Sequence, residues 1–288
     1  MKDVVGSPEH SPLGKDSAYP DQYDPSLLYP IPRSQGRGEL DDIESLPFNG
    51  VDIWNAYEVS WLDPKGKPRV AIAVLAVSAL SENIVESKSL KLYLGSLNQS
   101  VYRSVDEVAN IIKGDVQAIV RGDVVVDMEL LVGQPSRVVS PAAVEGLLDL
   151  RNAVCVDDLD VDITHYSIEP ALLCLDQSDD EVVDECVSSH LLRSNCPVTG
   201  QPDWATVFVH YRGKKICRGS FLKYIISYRN HNDFHEQCVE RIFVDVMRAC
   251  GPTDLSVYAR YTRRGGIDIN PFRSNFESCV DNTKLGRQ

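Results

Sequence analysis

The chain has 288 residues, 43% of them hydrophobic and 25% charged, with a formal charge of −13 and a sequence pI near 4.9. That length exceeds one compact core and suits two domains, while the acidic balance repels phosphate backbones and argues against direct nucleic-acid binding. Apolar runs fall short of the roughly 20 residues that span a bilayer, and the opening Met-Lys-Asp-Val-Val-Gly-Ser-Pro lacks the apolar core of a signal peptide, so a cytoplasmic protein without membrane contact is expected.

Residues 1–48 are rich in Pro, Gly, Ser and Asp, with Tyr19, Tyr23 and Tyr29 among them, and read as an irregular arm lying on a surface. An alternating aromatic stretch over 52–61, a Pro/Gly turn and a β-branched stretch over 69–77 predict a hairpin. Leu90, Tyr93, Leu94 and Leu97 fall at helical spacing from Ser89 onward. A second helix is predicted over 106–120, with Val108, Ile111, Ile112, Val116 and Ile119 on one face. A strand over 123–131 follows.

Residues 135–185 read as a connection with β-like pieces, ending in a solvated acidic surface over 176–185. The earlier pattern then repeats. Residues 204–211 and 214–218 are expected to form a hairpin around Arg212-Gly-Lys, followed by helices over 220–229 and 234–250 and a strand over 255–262. Leu90-Lys-Leu-Tyr-Leu-Gly-Ser-Leu-Asn echoes Leu222-Lys-Tyr-Ile-Ile-Ser-Tyr-Arg-Asn, which points to a duplication. The expected organisation is an arm (1–48), a module (49–134), a connection (135–187) and a second module (188–288). Its class is α+β, with helices gathered on one face of an antiparallel sheet. Sheet edges left unpaired in each module favour joining into a barrel, and hence an oligomer.

Candidate chemistry lies in four places. Residues 194–204 hold two prolines and a glycine, so they form a loop, and that loop carries the thiol of Cys196 and the carboxyl of Asp203. An ionised thiol is a strong nucleophile and a nearby carboxyl can relay its proton; a small core residue is the other role open to Cys196. Glu86-Ser-Lys-Ser stands where a helix begins, so its backbone N–H groups and Lys88 favour an anion, although an ordinary cap by Ser87 or Ser89 has the same signature. In Phe234-His-Glu, Glu236 offers two adjacent acceptor oxygens to a guanine-like edge and His235 titrates near neutrality; acidic compensation of a helix start is the plainer alternative. Residues 260–266 concentrate three arginines and two glycines at a strand end, as a phosphate clamp or a solvated terminus. The eight cysteines show no Cys-x-x-Cys and read as reduced. Only His231 and His235 have a His-x-x-x-His spacing, and no Rossmann glycine motif or Walker loop is present.

Taken together, Glu86-Ser-Lys-Ser-Leu-Lys-Leu-Tyr, Ser194-Asn-Cys with Pro202-Asp-Trp, Phe234-His-Glu-Gln-Cys-Val-Glu-Arg and Tyr261-Thr-Arg-Arg-Gly-Gly-Ile-Asp-Ile-Asn-Pro resemble the NADPH-dependent 7-cyano-7-deazaguanine reductases of queuosine biosynthesis in their longer, two-module form. The resemblance runs from about Tyr19 to the C-terminus. It implies tandem tunnelling-fold modules, a homodimer, two NADPH consumed per turnover and no required metal. It places Cys196 as the nucleophile that adds to the nitrile carbon, Asp203 as the proton donor and His235 as an auxiliary catalytic group. It places Val85, Glu86, Ser87, His235 and Glu236 on the substrate, and Ser87, Lys88, Arg264 and Gly265 on NADPH. Two other readings stay open: a zinc hydrolase of the same fold related to GTP cyclohydrolase I, and a non-catalytic purine-binding module. Spacing also leaves open whether Cys196 can pair with Cys238 or Cys250.

Overall fold

The computed structural model describes residues 20–40, 45–132, 150–178, 181–278, 280, 282 and 284–288. Tyr19 and the rest of 1–19, residues 135–149 of the expected connection, Asp179 and Asp180 of the acidic stretch, and Cys279 lie outside them. The strands are β1 (Pro30–Pro32), β2 (Asn49–Leu62), β3 (Pro68–Ser78), β4 (Asn83–Val85), β5 (Val124–Leu130), β6 (Val154–Cys155), β7 (Val182–Asn195), β8 (Pro202–Lys214), β9 (Asp254–Tyr261) and β10 (Ile267–Ser274). The α-helices are α1 (Arg33–Arg37), α2 (Ser87–Ser96), α3 (Val105–Val120), α4 (Arg218–Ser227) and α5 (His235–Cys250). The result is α+β, as expected. The described residues divide into two compact units, those within 1–39, 52–142 and 263–269 and those within 40–51, 143–262 and 270–288.

In the first unit the strand order is β5-β3-β2, with β3 antiparallel to β5 from Ala71↔Leu130 to Val77↔Val124. Ala71, Ala73, Leu75 and Val77 alternate onto the buried face. There they meet Leu90, Tyr93 and Leu94 of α2 and Val108, Ile112 and Val116 of α3. The period of two on the strand and of about four on the helix thus put both apolar stripes on one side of the sheet. Burying each Val or Leu in such a stripe stabilises the fold by about 1.5–3 kcal/mol. Ser104 caps α3 by accepting the Glu107 N–H at 3.1 Å, and Arg121 ends it in the left-handed conformation at φ 52°.

The second unit repeats this plan. The strand order is β10-β9-β8-β7-β6, and α4 and α5 bury Phe221, Leu222, Ile225, Val239, Ile242 and Phe243 against Val207, Val209 and Val257. Three side-chain hydrogen bonds occur in both units. Ser89 Oγ donates to the Glu86 carbonyl at 2.6 Å as Ser220 Oγ donates to that of Cys217 at 2.7 Å. Ser96 Oγ donates to the Tyr93 carbonyl as Ser227 Oγ does to that of Tyr224, each at 2.6 Å. Tyr93 Oη donates to Asp115 as Tyr224 Oη does to Asp245, again at 2.6 Å. The helices also match in length, 10 residues for α2 and α4 and 16 for α3 and α5.

Three expectations are corrected, and one strand is added. The arm is not wholly irregular: β1 pairs antiparallel with β4 (Pro30↔Val85) and α1 follows it, held where Arg33 Nη2 meets Asp52 at 2.6 Å with both side chains buried. The second hairpin is not 204–211 with 214–218. Strand β8 pairs instead with the preceding β7 (Asp184↔Arg212 to Asn195↔Pro202), so part of the acidic stretch is strand, and residues 196–201 are the hairpin turn. Strand β10 was not foreseen, because Asp268, Asn270 and Arg273 interrupt its apolar pattern. These side chains are buried but paired, Asp268 Oδ1 with the Asn55 amide at 2.6 Å and Arg273 with Glu240 at 2.9 Å. Arg260, finally, is no part of a phosphate clamp. It is fully buried and donates to Tyr258 Oη at 2.7 Å and Asn282 Oδ1 at 2.6 Å.

Candidate active site

Cys196 is the first residue of the turn between β7 and β8. Its N–H donates to the Gln201 carbonyl at 2.9 Å and its carbonyl accepts the Gly200 N–H at 3.0 Å, a closure that needs Gly200 at φ +67°. Two rungs further in, Ser194 pairs with Asp203, so the hairpin brings thiol and carboxylate to the same end. Cys196 is 6% exposed and Asp203 5%. The loop before α5 is tied to this hairpin on both sides. Asn195 N–H donates to the His231 carbonyl at 2.8 Å, and Asp233 N–H donates to the Asn195 carbonyl at 3.1 Å. Asp233 Oδ1 and Gln237 Oε1 then accept the Phe234 N–H and start the helix.

That anchoring delivers His235 and Glu236, the first two residues of α5. His235 Nε2 lies 3.4 Å from Asp203 Oδ2. Its ring stacks on Tyr261, with centroids 3.6 Å apart and planes 3° from parallel. Tyr261 is positioned by β9, where it pairs with Ala205 beside Asp203. The Tyr261 and Ser194 hydroxyls and the Cys238 thiol interact with one another, although neither hydroxyl oxygen has a well-formed hydrogen bond. Burial raises both Tyr261 and Cys238 well above their ordinary values, so both stay protonated. Glu236 is 3% exposed in the first turn of α5, where the helix dipole favours its negative charge. Cys196, Cys238 and Cys250 are not joined in a disulfide; Cys238 lies in the first turn of α5, whereas Cys250 closes its far end.

The other sequence candidates lie in the first unit. Val85 ends β4 and Glu86 caps α2, its Oε1 accepting the Lys88 N–H at 2.7 Å and its Oε2 the Ser89 N–H at 2.9 Å. Glu86 is therefore the cap, and Ser89 bonds back to it. Burial pushes the Glu86 carboxyl upward and the two N–H bonds oppose that shift. Ser87 and Lys88 follow on the first turn. A cavity of about 350 Å³ opens beside them, lined by Ala56, Glu58, Lys88, Lys91, Gly265 and Gly266. Arg264 and Ile267 close a tight turn through two backbone hydrogen bonds, and Gly265 and Gly266 adopt φ of +56° and +75°. A Cβ on Gly265 would make only an ordinary contact with the Lys91 side chain at 3.4 Å, so it is the positive φ that favours glycine there.

Comparison with known proteins covers both units. Residues 19–128 match the family model described as nitrile reductase, 7-cyano-7-deazaguanine-reductase N-term, and residues 202–279 match that of QueF-like protein. Curated NADPH-dependent 7-cyano-7-deazaguanine reductases from Burkholderia cenocepacia (strain HI2424) and Burkholderia thailandensis (strain ATCC 700388) are 53% and 51% identical over 285 and 284 residues. Each match covers 98% of this chain and 100% of the relative. The chain belongs to the NADPH-dependent 7-cyano-7-deazaguanine reductase family. A solved structure, archaeosine synthase QueF-Like in the apo form, aligns with 32% of this chain and 91% of its own at 21% identity and a TM-score of 0.29.

Two features of the candidate site escaped the sequence. Tyr261 opens the Tyr-Thr-Arg-Arg-Gly-Gly run, but nothing in its spacing reveals a stack on a histidine 26 residues earlier (261 − 235). Lys91 follows Lys88 by three residues on α2, a spacing that places both ammonium groups on one helix face; that signal was legible.

Proposed function

We infer that this protein reduces the nitrile of 7-cyano-7-deazaguanine to the aminomethyl group with two NADPH. The observation that carries the reading is the buried Asp203 carboxylate, 3.4 Å from His235 Nε2, on the hairpin whose turn presents Cys196. A nitrile is a poor hydride acceptor. Addition of the Cys196 sulfur breaks one C≡N π bond and gives a C=N thioimide that protonation activates. Asp203 takes the thiol proton and returns it to the nitrogen, with His235 beside it to accept and pass on the later protons. NADPH supplies hydride to carbon once at the thioimide and once at the imine. Between the two additions the tetrahedral carbon–sulfur bond breaks, and Cys196 leaves as its thiolate.

Glu236 and Glu86 are the carboxylates we assign to the guanine-like edge, with Val85, Ser87 and His235 completing the base site. Buried acceptors of this kind make charge-assisted hydrogen bonds to paired N–H donors. Ser87, Lys88, Arg264 and Gly265 are assigned to NADPH. The cavity beside them fits: it has two lysines for phosphate charge, an exposed glycine backbone and room for part of an extended dinucleotide. We further propose a cytoplasmic homodimer of two duplicated modules, 49–134 and 188–288, with 1–48 as arm and 135–187 as connection. Among the described residues no helix is long and apolar enough to cross a membrane.

The test is loss of NADPH absorbance on addition of 7-cyano-7-deazaguanine to the parent protein. Two NADPH consumed per base supports the reading. No consumption, with about one zinc per chain that is lost in Cys196→Ala, supports the hydrolase related to GTP cyclohydrolase I instead. No consumption and no zinc dependent on Cys196, with the base still bound, supports a purine-binding module.

A further inference from the structure

We propose that Cys155, Asp157 and His190 form a site for one divalent transition-metal ion of zinc-like character, tying β6 to β7 in the second unit. One ligand atom from each of the three lies within 4.8 Å of the others. No sequence spacing announces this set, because 33 residues separate Asp157 from His190 (190 − 157). The fold closes the gap. Strand β6 runs parallel to β7, placing Cys155 opposite Ser188, and the Val156 N–H donates to the Ser188 carbonyl at 3.0 Å. The β7–β8 register then slips between Ser189 and Leu192, so His190 has no ladder partner on β8. Such a bulge re-aims a side chain. Here it releases the His190 N–H, which donates to Asp157 Oδ2 at 2.8 Å.

The candidate ligands are also held from behind. Ser189 Oγ donates to Asp157 Oδ1 at 2.6 Å, so each carboxylate oxygen has one hydrogen bond and one lone pair left for a metal. Thr206 Oγ1 lies 2.9 Å from His190 Nδ1, and Arg287 Nη1 donates to the His190 carbonyl at 2.7 Å. Partners of this kind fix ligand orientation and tautomer at metal sites. Asp158, Asp160 and Asp162 continue the same exposed run and raise the local concentration of cations. One sulfur, one nitrogen and one oxygen donor favour zinc or cobalt over magnesium or calcium, and three protein ligands leave a fourth tetrahedral position for water. Binding replaces the Cys155 thiol proton by the metal and releases that proton to solvent.

The experiment is a cobalt(II) titration of the full chain after treatment with a chelator, followed by absorbance and repeated with zinc. One cobalt per chain is expected, with a thiolate-to-cobalt charge-transfer band, tetrahedral d–d bands and displacement of both by zinc. Cys155→Ser should lose the charge-transfer band while keeping its melting temperature and its NADPH-dependent turnover. Asp157→Asn and His190→Gln should each weaken cobalt binding by more than about tenfold. A spectrum without the charge-transfer band overturns the proposal. So does a band that survives Cys155→Ser and disappears in His231→Gln, which would give the metal to the second group within the same 4.8 Å limit, His231, Asp233 and Cys238.

Discussion

The imidazole of His235 lies flat on the phenol ring of Tyr261, with centroids 3.6 Å apart and planes 3° from parallel. The stack fixes the plane in which Nε2 faces Asp203, so in the proposed mechanism Tyr261 orients the His235 imidazole. Tyr261→Phe keeps the ring and removes a hydroxyl without a well-formed hydrogen bond, so a stability change below about 1 kcal/mol and near-parental turnover are expected. Tyr261→Ala removes a fully buried ring, at a cost of about 3–5 kcal/mol, and frees His235 to rotate. Urea denaturation and the pH profile of kcat check both variants. A Phe variant as damaged as the Ala variant would refute the role of the stack.

Cys196→Ala should abolish NADPH oxidation while leaving the affinity for the base intact, because Glu86, Glu236 and His235 are untouched. Equilibrium dialysis of the base beside the turnover assay reads both quantities. Residual turnover near the parental rate would exclude covalent catalysis through this thiol.

Glu236→Ala should weaken base binding by about 1–3 kcal/mol, the cost of leaving the base's N–H donors without their charged acceptor. Glu86→Ala should add a second effect. Loss of the α2 cap costs about 0.5–2 kcal/mol of stability, read as a lower urea midpoint. Glu236→Ala with unchanged base affinity would remove it from the base site.

Lys88→Ala and Lys91→Ala should each raise KM for NADPH by roughly tenfold to a hundredfold, the worth of one charged hydrogen bond, while base affinity stays at the parental value. Initial rates at varied NADPH and fixed base test this. An unchanged KM in both variants would move the cofactor away from the cavity by Gly265.

His210 stands between two carboxylates, with Nδ1 3.2 Å from Glu277 and Nε2 2.8 Å from Asp184, which Arg212 also contacts. The bond to Glu277, opposed by burial and helped by Asp184, raises its pKa above the ordinary histidine value. A folded-state pKa above the unfolded one stabilises the fold below about pH 6.5, and that contribution fades as pH rises through the raised value. Melting temperatures of the parent should therefore fall relative to His210→Gln across that window. Parallel curves for the two proteins would contradict this sign.

The sequence by itself determined the elements whose signals are local. Helices α2, α3, α4 and α5 were legible because Leu90, Tyr93, Leu94 and their counterparts repeat at helical spacing, and the first hairpin because its turn is built from Pro and Gly. The four motifs also carried the family, since their residue types and order survive without coordinates. Only the tertiary structure decided which segment pairs with β8, that polar β10 is a buried strand, and that Arg260 serves the core. It likewise decided that Tyr261 meets His235 and that Cys155 and Asp157 meet His190. The physical reason is shared by all five. Periodicity reports which face of an element is apolar, whereas the partner of a buried charge, ring or strand edge is fixed by long-range pairing, which leaves no local trace in the chain.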